Sequence, residues 1–350
     1  MIDRIKLTIY KKDFYSLKGN FDNCRLIVKK PYIDEFSDNR KLKIIKEYYL
    51  RDLETGGHTL KVQIDERQRI HIYCSLRKWL YGECSIKDLN HQDFLKSVEK
   101  LAKAFNLPFL SLLNYEGLTG VEIGYNIITE ESCDLIIPKI CKYGKIKHSN
   151  NFDDKNETLY KNGSDKNFKI YDKAKELWDT EGIKIKGNLT RVEVEMKDSD
   201  SFNRYRLGKL KSLADISQKW VNLQLFFLSE IARLRFINPI CIEKLRSARQ
   251  KVIGKYLVKF GFKRGMKKFE RYFSLKEGSA EKFFIGIMAK YPLLGTYCHG
   301  SFKRDIAKCF LKINRSDKNI PLNVIAHILW GTKQGSNMRR ALYNKGGISA

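Results

Sequence analysis

Within Leu189-Thr190-Arg191-Val192-Glu193-Val194-Glu195-Met196, charged and apolar side chains alternate without a break from Arg191 to Met196. Successive side chains of a strand point to opposite faces, so this run requires a sheet with one buried face and one polar face. Val192, Val194 and Met196 take the core side; Arg191, Glu193 and Glu195 are left together on the other. Upstream, Asn167 to Leu177 reads as a strand carrying a tyrosine and a lysine, Tyr171 and Lys173, and then a short helix.

The same period recurs through the first 200 residues. Ile5, Leu7 and Ile9 alternate with Lys6 and Thr8, and Leu26 to Val28 suggests another short strand. Leu60 to Ile64 and Arg69 to Leu76 flank the polar Asp65-Glu66-Arg67-Gln68, a hairpin signal. Leu89 to Phe105 places Phe94, Val98, Leu101 and Phe105 on one helical stripe. Leu118 to Ile128 returns to strand, and Ser132 to Lys142 reads as a helix interrupted by Pro138. Glu157 to Lys161 and Phe168 to Tyr171 are strands around the turn Asn162-Gly163-Ser164-Asp165. The mixed order predicts an α+β fold, an antiparallel sheet with helices on one face. After Phe202 the periodicity becomes helical, with long helices expected over Lys211 to Phe236 and Ile242 to Phe260. The expected domains are residues 1–201 and a mostly helical 202–350.

Lys+Arg number 67 against 40 Asp+Glu, a formal charge of +27, which points to a polyanionic partner. Hydrophobic residues make up 43%, enough for a packed core, which excludes a disordered basic tail. The eight cysteines form no C-x-x-C pair, so reduced thiols and a cytoplasmic setting fit better than a zinc site or disulfides. No uncharged apolar run approaches the ~18 to 20 residues of a membrane span, so no membrane partner is expected.

Parity sorts the candidate chemistry. His71 and Tyr73 face away from Ile70 and Ile72; Glu122 faces away from Val121 and Ile123; Lys169, Tyr171 and Lys173 face away from Phe168 and Ile170. If these strands are neighbours, one exposed face gathers His71, Glu122, Glu193, Glu195, Tyr171 and Lys173. A tyrosine beside a cation and paired acids is a minimal kit for attacking a phosphodiester.

Gly120-Val121-Glu122-Ile123-Gly124-Tyr125, Tyr171-Asp172-Lys173 and Leu189-Thr190-Arg191-Val192-Glu193-Val194-Glu195, with the fainter Ile70 to Gly82, resemble in order and spacing the gene II/X family of filamentous-phage replication initiators. The resemblance covers roughly residues 1 to 210. It implies a replication-initiator-like palm and a rolling-circle initiator, a site-specific endonuclease and strand-transferase. Its partners would be origin DNA, single-stranded or supercoiled, with host helicase and polymerase. Tyr171 falls at the family's nucleophile, which would form a 5′-phosphotyrosine, and Lys173 at its neighbouring lysine. His71 stands where the family can have a carboxylate. The histidine-hydrophobe-histidine signature of the wider superfamily is missing, so a metal would rest mainly on Glu122, Glu193, Glu195 and His71. That donor set suits Mg²⁺ or Mn²⁺.

Other readings stay open. Tyr-x-Lys also occurs at Tyr10, Tyr143 and Tyr343, and Glu193 and Glu195 would equally serve as a strand face salt-bridged to Lys169 or Arg191. His71 would equally be a hydrogen-bonded strand histidine. A non-catalytic nucleic-acid-binding replication regulator and a plasmid mobilisation relaxase are the functional alternatives. For DNA contact the expected cations are Arg204, Arg206, Lys209 and Lys211, then Lys263, Arg264, Lys267 and Lys268, where aromatics are interleaved.

Overall fold

The computed structural model describes residues 1–28, 31–34, 42–52, 59–143, 146–147, 151–152, 158–163, 165–197, 202, 207–236, 245–260, 262–290, 300–314, 320–321, 324–325 and 327–329. Its first strands are β1 (Ile2–Tyr10), β2 (Arg25–Val28), β3 (Tyr32–Asp34), β4 (Leu42–Arg51), β5 (Thr59–Asp65), β6 (Arg69–Ser75) and β7 (Leu118–Thr129). There follow β8 (Ile140–Tyr143), β9 (Ile146–Lys147), β10 (Asn151–Phe152), β11 (Thr158–Asn162), β12 (Lys166–Asp172), β13 (Asn188–Met196) and β14 (Leu234–Phe236). Among the described residues, eleven strands form an antiparallel sheet in the order β10-β11-β12-β13-β7-β1-β6-β5-β4-β2, with β3 also pairing β4. A three-stranded sheet runs β14-β8-β9.

The fold is α+β, as the sequence requires. The β5–β6 hairpin is locked where the polar tetrapeptide predicted a turn. The Asp65 carboxylate accepts from the amides of Arg67 and Arg69 at 3.0 and 2.9 Å, and Gln68 takes a positive φ of 58°. The helix His91–Ala104 starts at Asn90, whose side chain accepts from the Asp93 amide at 2.8 Å. Its stripe of Phe94, Val98 and Leu101 is fully buried.

Helices from beyond residue 202 complete the layer on the apolar face. Tyr125 of β7 is clamped between Phe227 of the helix Trp220–Ala232 and Phe310 of the helix Gly300–Asn314, with ring centroids 4.8 and 4.6 Å away. Phe94 meets Trp220 at 5.4 Å. One hydrophobic core therefore runs from Met1 to Leu329, and the expected division at 201/202 falls inside it. A separate core, including Leu245, Ile253, Leu257, Met266, Phe269 and Phe284, holds the helices Ala248–Phe260, Phe262–Tyr272 and Ser279–Lys290.

Three expected helices are shorter than their periodicity, the one expected from Ile242 beginning at Ala248. Pro138 ends the first: Cys133–Ile136 passes into a 3₁₀ turn, Ile137–Lys139, and then into β8. The long helix expected over Lys211 to Phe236 divides. A capping box of Ser212 and Asp215 starts Leu213–Gln218, and Trp220–Ala232 follows. Leu234-Arg235-Phe236 then alternates in burial and pairs with β8. No helix among the described residues is long and apolar enough to cross a membrane.

Because Phe310 packs on the strand that carries Glu122, Phe310→Ala should cost about 3–5 kcal/mol, as large aromatic truncations in a core do. Urea denaturation followed by near-UV circular dichroism should show the sheet and the helical layer losing stability together.

Candidate active site

The site grows from the register of four central strands. Across β13 and β7, Arg191 faces Asn126, Glu193 faces Gly124, and Glu195 faces Glu122. Across β12 and β13, Tyr171 faces Arg191, Lys169 faces Glu193, and Asn167 faces Glu195. Glu122, Glu193, Glu195 and Tyr171 occupy one face, as parity expects, but that face is largely buried rather than exposed.

A residue that parity does not supply joins them. Strand β1 pairs Ile2 with Ile123 and Arg4 with Glu122, so its register shifts at Asp3. Regular alternation would send Asp3 to the core with Ile5 and Leu7. A bulge gives one residue freedom from the pleat and re-aims its side chain. Asp3 comes to lie with Glu122 and Glu193, and one carboxylate oxygen from each falls within 4.8 Å of the others. The hint in the sequence was an acid inside the first apolar strand, Ile2-Asp3-Arg4-Ile5.

Arg191 organises the trio. Its guanidinium is fully buried and donates to Asp3 Oδ2, to Glu193 Oε1 at 2.7 Å, to Asn126 Oδ1 at 2.9 Å and to Asp88 Oδ1 at 3.5 Å. Burial alone would weaken its charge, but the Asp3, Glu193 and Asp88 carboxylates hold it well above the ordinary arginine value. Asp3 also accepts from Ser75 Oγ at 2.6 Å and lies 3.5 Å from Arg77 Nε. Burial opposes its charge; Arg191 and Arg77 win and hold its pKa well below the carboxylate range. The space for the guanidinium comes from Gly124, where a Cβ would stand 2.5 Å from Arg191 Nη2.

Glu122 is treated differently. Burial, then the charge of Glu193, push its carboxyl up to about 8, against the pull of Arg4. Its Oε1 is buried and has no hydrogen-bond partner. An orphaned carboxylate oxygen beside two further carboxylates is a donor set that fits a hard divalent cation.

Tyr171 donates its phenolic hydrogen to Glu193 Oε1 at 3.0 Å and is 7% exposed. Burial, and next the charge of Glu193, raise its pKa well above that of a free phenol. The cation over its ring is Lys169, with Nζ 4.0 Å from the centroid and 4.0 Å from Glu193 Oε2.

Lys173, expected on the same face, is not beside the phenol oxygen. Strand β12 ends at Asp172, which caps the helix Lys173–Glu181 by accepting from the Lys175 amide at 2.9 Å. The Lys173 ammonium is buried on Glu176, and burial lowers its pKa. His71 is also outside the cluster. Its Nδ1 lies 3.0 Å from Thr8 Oγ1 and its Nε2 lies 3.1 Å from Asp65 Oδ2, so both ring nitrogens are engaged. Glu195 is next to Glu122 in register but pairs with Lys6 at 3.2 Å and Asn167 at 2.9 Å. Burial works against its charge, and Lys6 more than offsets it, lowering the pKa.

A cleft of about 280 Å³ opens on this face beside Glu122 and Glu195, walled in part by Arg4, Lys6, Lys61, Lys78 and Tyr73. Lys6, Lys61 and Lys78 each have a carboxylate partner, in Glu195, Glu47 and Glu83. Of the cations expected to meet DNA, Arg204 and Arg206 lie outside the described residues, as do the side chains of Lys263 and Arg264. Lys209, Lys267 and Lys268 are exposed, whereas Lys211 is bound to Glu116 at 2.8 Å.

No family model matches the chain, and no curated protein sequence matches it. Among solved structures, a rolling circle replication initiator protein from Geobacillus stearothermophilus aligns with 79% of this chain and 97% of its own, at 14% identity and a TM-score of 0.38. The di-domain ARO/CYC StfQ of the steffimycin biosynthetic pathway aligns with 64% of this chain and 93% of its own, at 8% identity and a TM-score of 0.16. At these scores neither likeness bears on the chemistry of the site, which rests on the residues above.

Two outcomes follow from the geometry. The folded Glu122 carboxyl titrates near 8 rather than near its ordinary 4.5, so its favourable contribution is present below about 4.5 and is lost as the pH rises through 8. Melting in EDTA should therefore show Glu122→Gln gaining on the wild type as pH increases, with the widest gap above pH 8. A methyl at position 124 must push a fixed guanidinium, so Gly124→Ala should destabilise by about 1–3 kcal/mol in chemical denaturation.

Proposed function

We propose that the chain is a metal-dependent DNA-nicking and strand-joining enzyme of the rolling-circle initiator kind, with Tyr171 as nucleophile. The observation that carries this is the hydrogen bond from the Tyr171 phenol to Glu193, a member of a buried carboxylate trio whose third acid, Glu122, keeps an unbonded oxygen. The resemblance of the Tyr171 and Glu122 segments to the gene II/X initiators and the excess of 27 positive charges support the same reading.

Asp3, Glu122 and Glu193 would hold Mg²⁺ or Mn²⁺. When bound, such an ion supplies charge neutralisation on phosphate oxygens. The chain's own groups do the rest. Glu193 orients the phenol and receives its proton. The phenolic oxygen bonds to phosphorus, the bond from phosphorus to the 3′ oxygen breaks, and that oxygen leaves as a 3′-hydroxyl after taking up a proton. The 5′-phosphate stays on Tyr171, and attack by a 3′-hydroxyl reverses the step and rejoins a strand. A free phenol has a pKa near ~10, and burial raises that of Tyr171, so proton transfer to Glu193 must accompany attack rather than precede it. Lys169, above the ring, would offset the negative charge that grows on the phenol as its proton leaves. Arg4 and the cleft beside Glu122 offer a path for the phosphate backbone.

The rival, a non-catalytic nucleic-acid-binding regulator, is favoured by the same raised phenol. Incubation with labelled single-stranded DNA of mixed sequence and Mn²⁺, followed by mass spectrometry of captured peptide, separates them. Wild-type protein should yield DNA attached to Tyr171, and Tyr171→Phe should yield none while binding DNA almost normally. Wild-type nicking by Tyr171→Phe, or an adduct on another tyrosine, would defeat the assignment.

A further inference from the structure

The helices Ala248–Phe260 and Phe262–Tyr272 carry nine Lys and Arg against one carboxylate, Glu270. Glu270 is buried and accepts from the Ala280 amide at 2.9 Å, so it offers nothing to the surface cations. The two helices approach closely at Gly265, where a Cβ would stand 2.8 Å from the Tyr256 carbonyl oxygen and 2.9 Å from Leu257 Cα. That approach brings Lys255 and Lys259, one turn apart on the first helix, to the same concavity as Lys268 and Arg271 on the second. Among the described residues none of these four cations has a carboxylate partner. The cations of the cleft beside Glu122 are mostly paired; these are not. Four uncompensated charges around one hollow repel one another until a polyanion occupies it.

The hollow is also aromatic. Its volume is about 640 Å³, within the range of ~300–1,000 Å³ usual for ligand clefts. Tyr272 is 67% exposed at its rim, and Tyr256 and half-buried Phe260 line it. Lys268 Nζ lies 3.9 Å and Lys259 Nζ 5.4 Å from the Phe260 ring centroid, so the cations sit among the rings. Phe269, by contrast, is fully buried in the helical core and takes no part. Cations meet phosphates; exposed ring faces meet base faces, which a duplex keeps stacked and hidden.

We infer that this hollow, on a core of its own, is a second nucleic-acid site that holds a short run of unpaired DNA nucleotides, with bases on Tyr272 and Phe260 and phosphates on Lys255, Lys259, Lys268 and Arg271. The choice of DNA over RNA rests on the proposed function; the preference for unpaired strand rests on the rings alone.

Fluorescence anisotropy of labelled single-stranded DNA, its RNA counterpart and the matching duplex, in EDTA with the full chain, tests it. Tyr272→Ala should weaken single-stranded DNA binding by about 5-fold or more and duplex binding much less, and Tyr272→Phe should restore it. Lys255→Glu with Lys259→Glu should flatten the log–log salt dependence by about 1.4, two phosphates at ~0.7 each. Unchanged melting of each variant confirms the fold. Equal losses on single strand and duplex, no loss in either, or tighter binding of RNA would overturn the inference. Capture of DNA on Tyr171 reads the cleavage chemistry separately, so either idea can fail alone.

Discussion

A single buried guanidinium holds the centre of this molecule together. Removing a charge from water is costly unless it is paired and hydrogen-bonded, and Arg191 meets that condition with partners on three strands and the segment before the helix His91–Ala104. Asp3 comes from β1, Asn126 from β7, and Glu193 from β13 itself. The same contacts that satisfy Arg191 fix the separation of the acids around it. Gly124 is part of this arrangement, since any side chain there occupies the volume of the guanidinium. The G-x-E-x-G pattern of β7 thus has a packing cause: glycine leaves room for Arg191, and the acid between Gly120 and Gly124 shares their face.

Arg191 also creates an inequality among the acids. Asp3 and Glu193 receive compensating positive charge; Glu122 remains buried with one oxygen unbonded and its carboxyl pushed up to about 8. A fold that merely needed a neutral patch would gain from an amide there. Arg4 offsets that acid only in part, and its oxygen without a hydrogen bond is the observation on which the proposal of a cation at the trio rests.

Period-two alternation in the sequence accounts for most of this face. The charged set of β13, Glu122 on β7 and Tyr171 on β12 fall where parity puts them, because each strand alternates regularly there, although both of its faces are buried. The failures share another cause, a break in regular geometry. Parity does not place Asp3 on this face, because a bulge overturns the alternation at that residue. Lys173 was misplaced because the strand ends at Asp172 and the next residues turn into a helix, so its spacing from Tyr171 no longer means a shared side. His71 does lie on the polar face, yet its partners Thr8 and Asp65 come from β1 and β5, and no spacing within β6 reveals them. The helical region obscured the core's extent in a similar way. Its periodicity is helical, but the apolar stripes of Trp220–Ala232 and Gly300–Asn314 face the sheet.

The clamp of Phe227 and Phe310 on Tyr125 bears on when the acidic face can exist during synthesis. Strand β7 is flanked by β1, made earlier, and by β13, made some sixty residues later, and its back is closed by the helix Trp220–Ala232 and then by the helix Gly300–Asn314. Such distant pairings form late. A nascent chain held at the ribosome before that helix emerges has the acids but only part of the layer that holds their strand in place, so the acidic face is fully supported only once Gly300–Asn314 has docked.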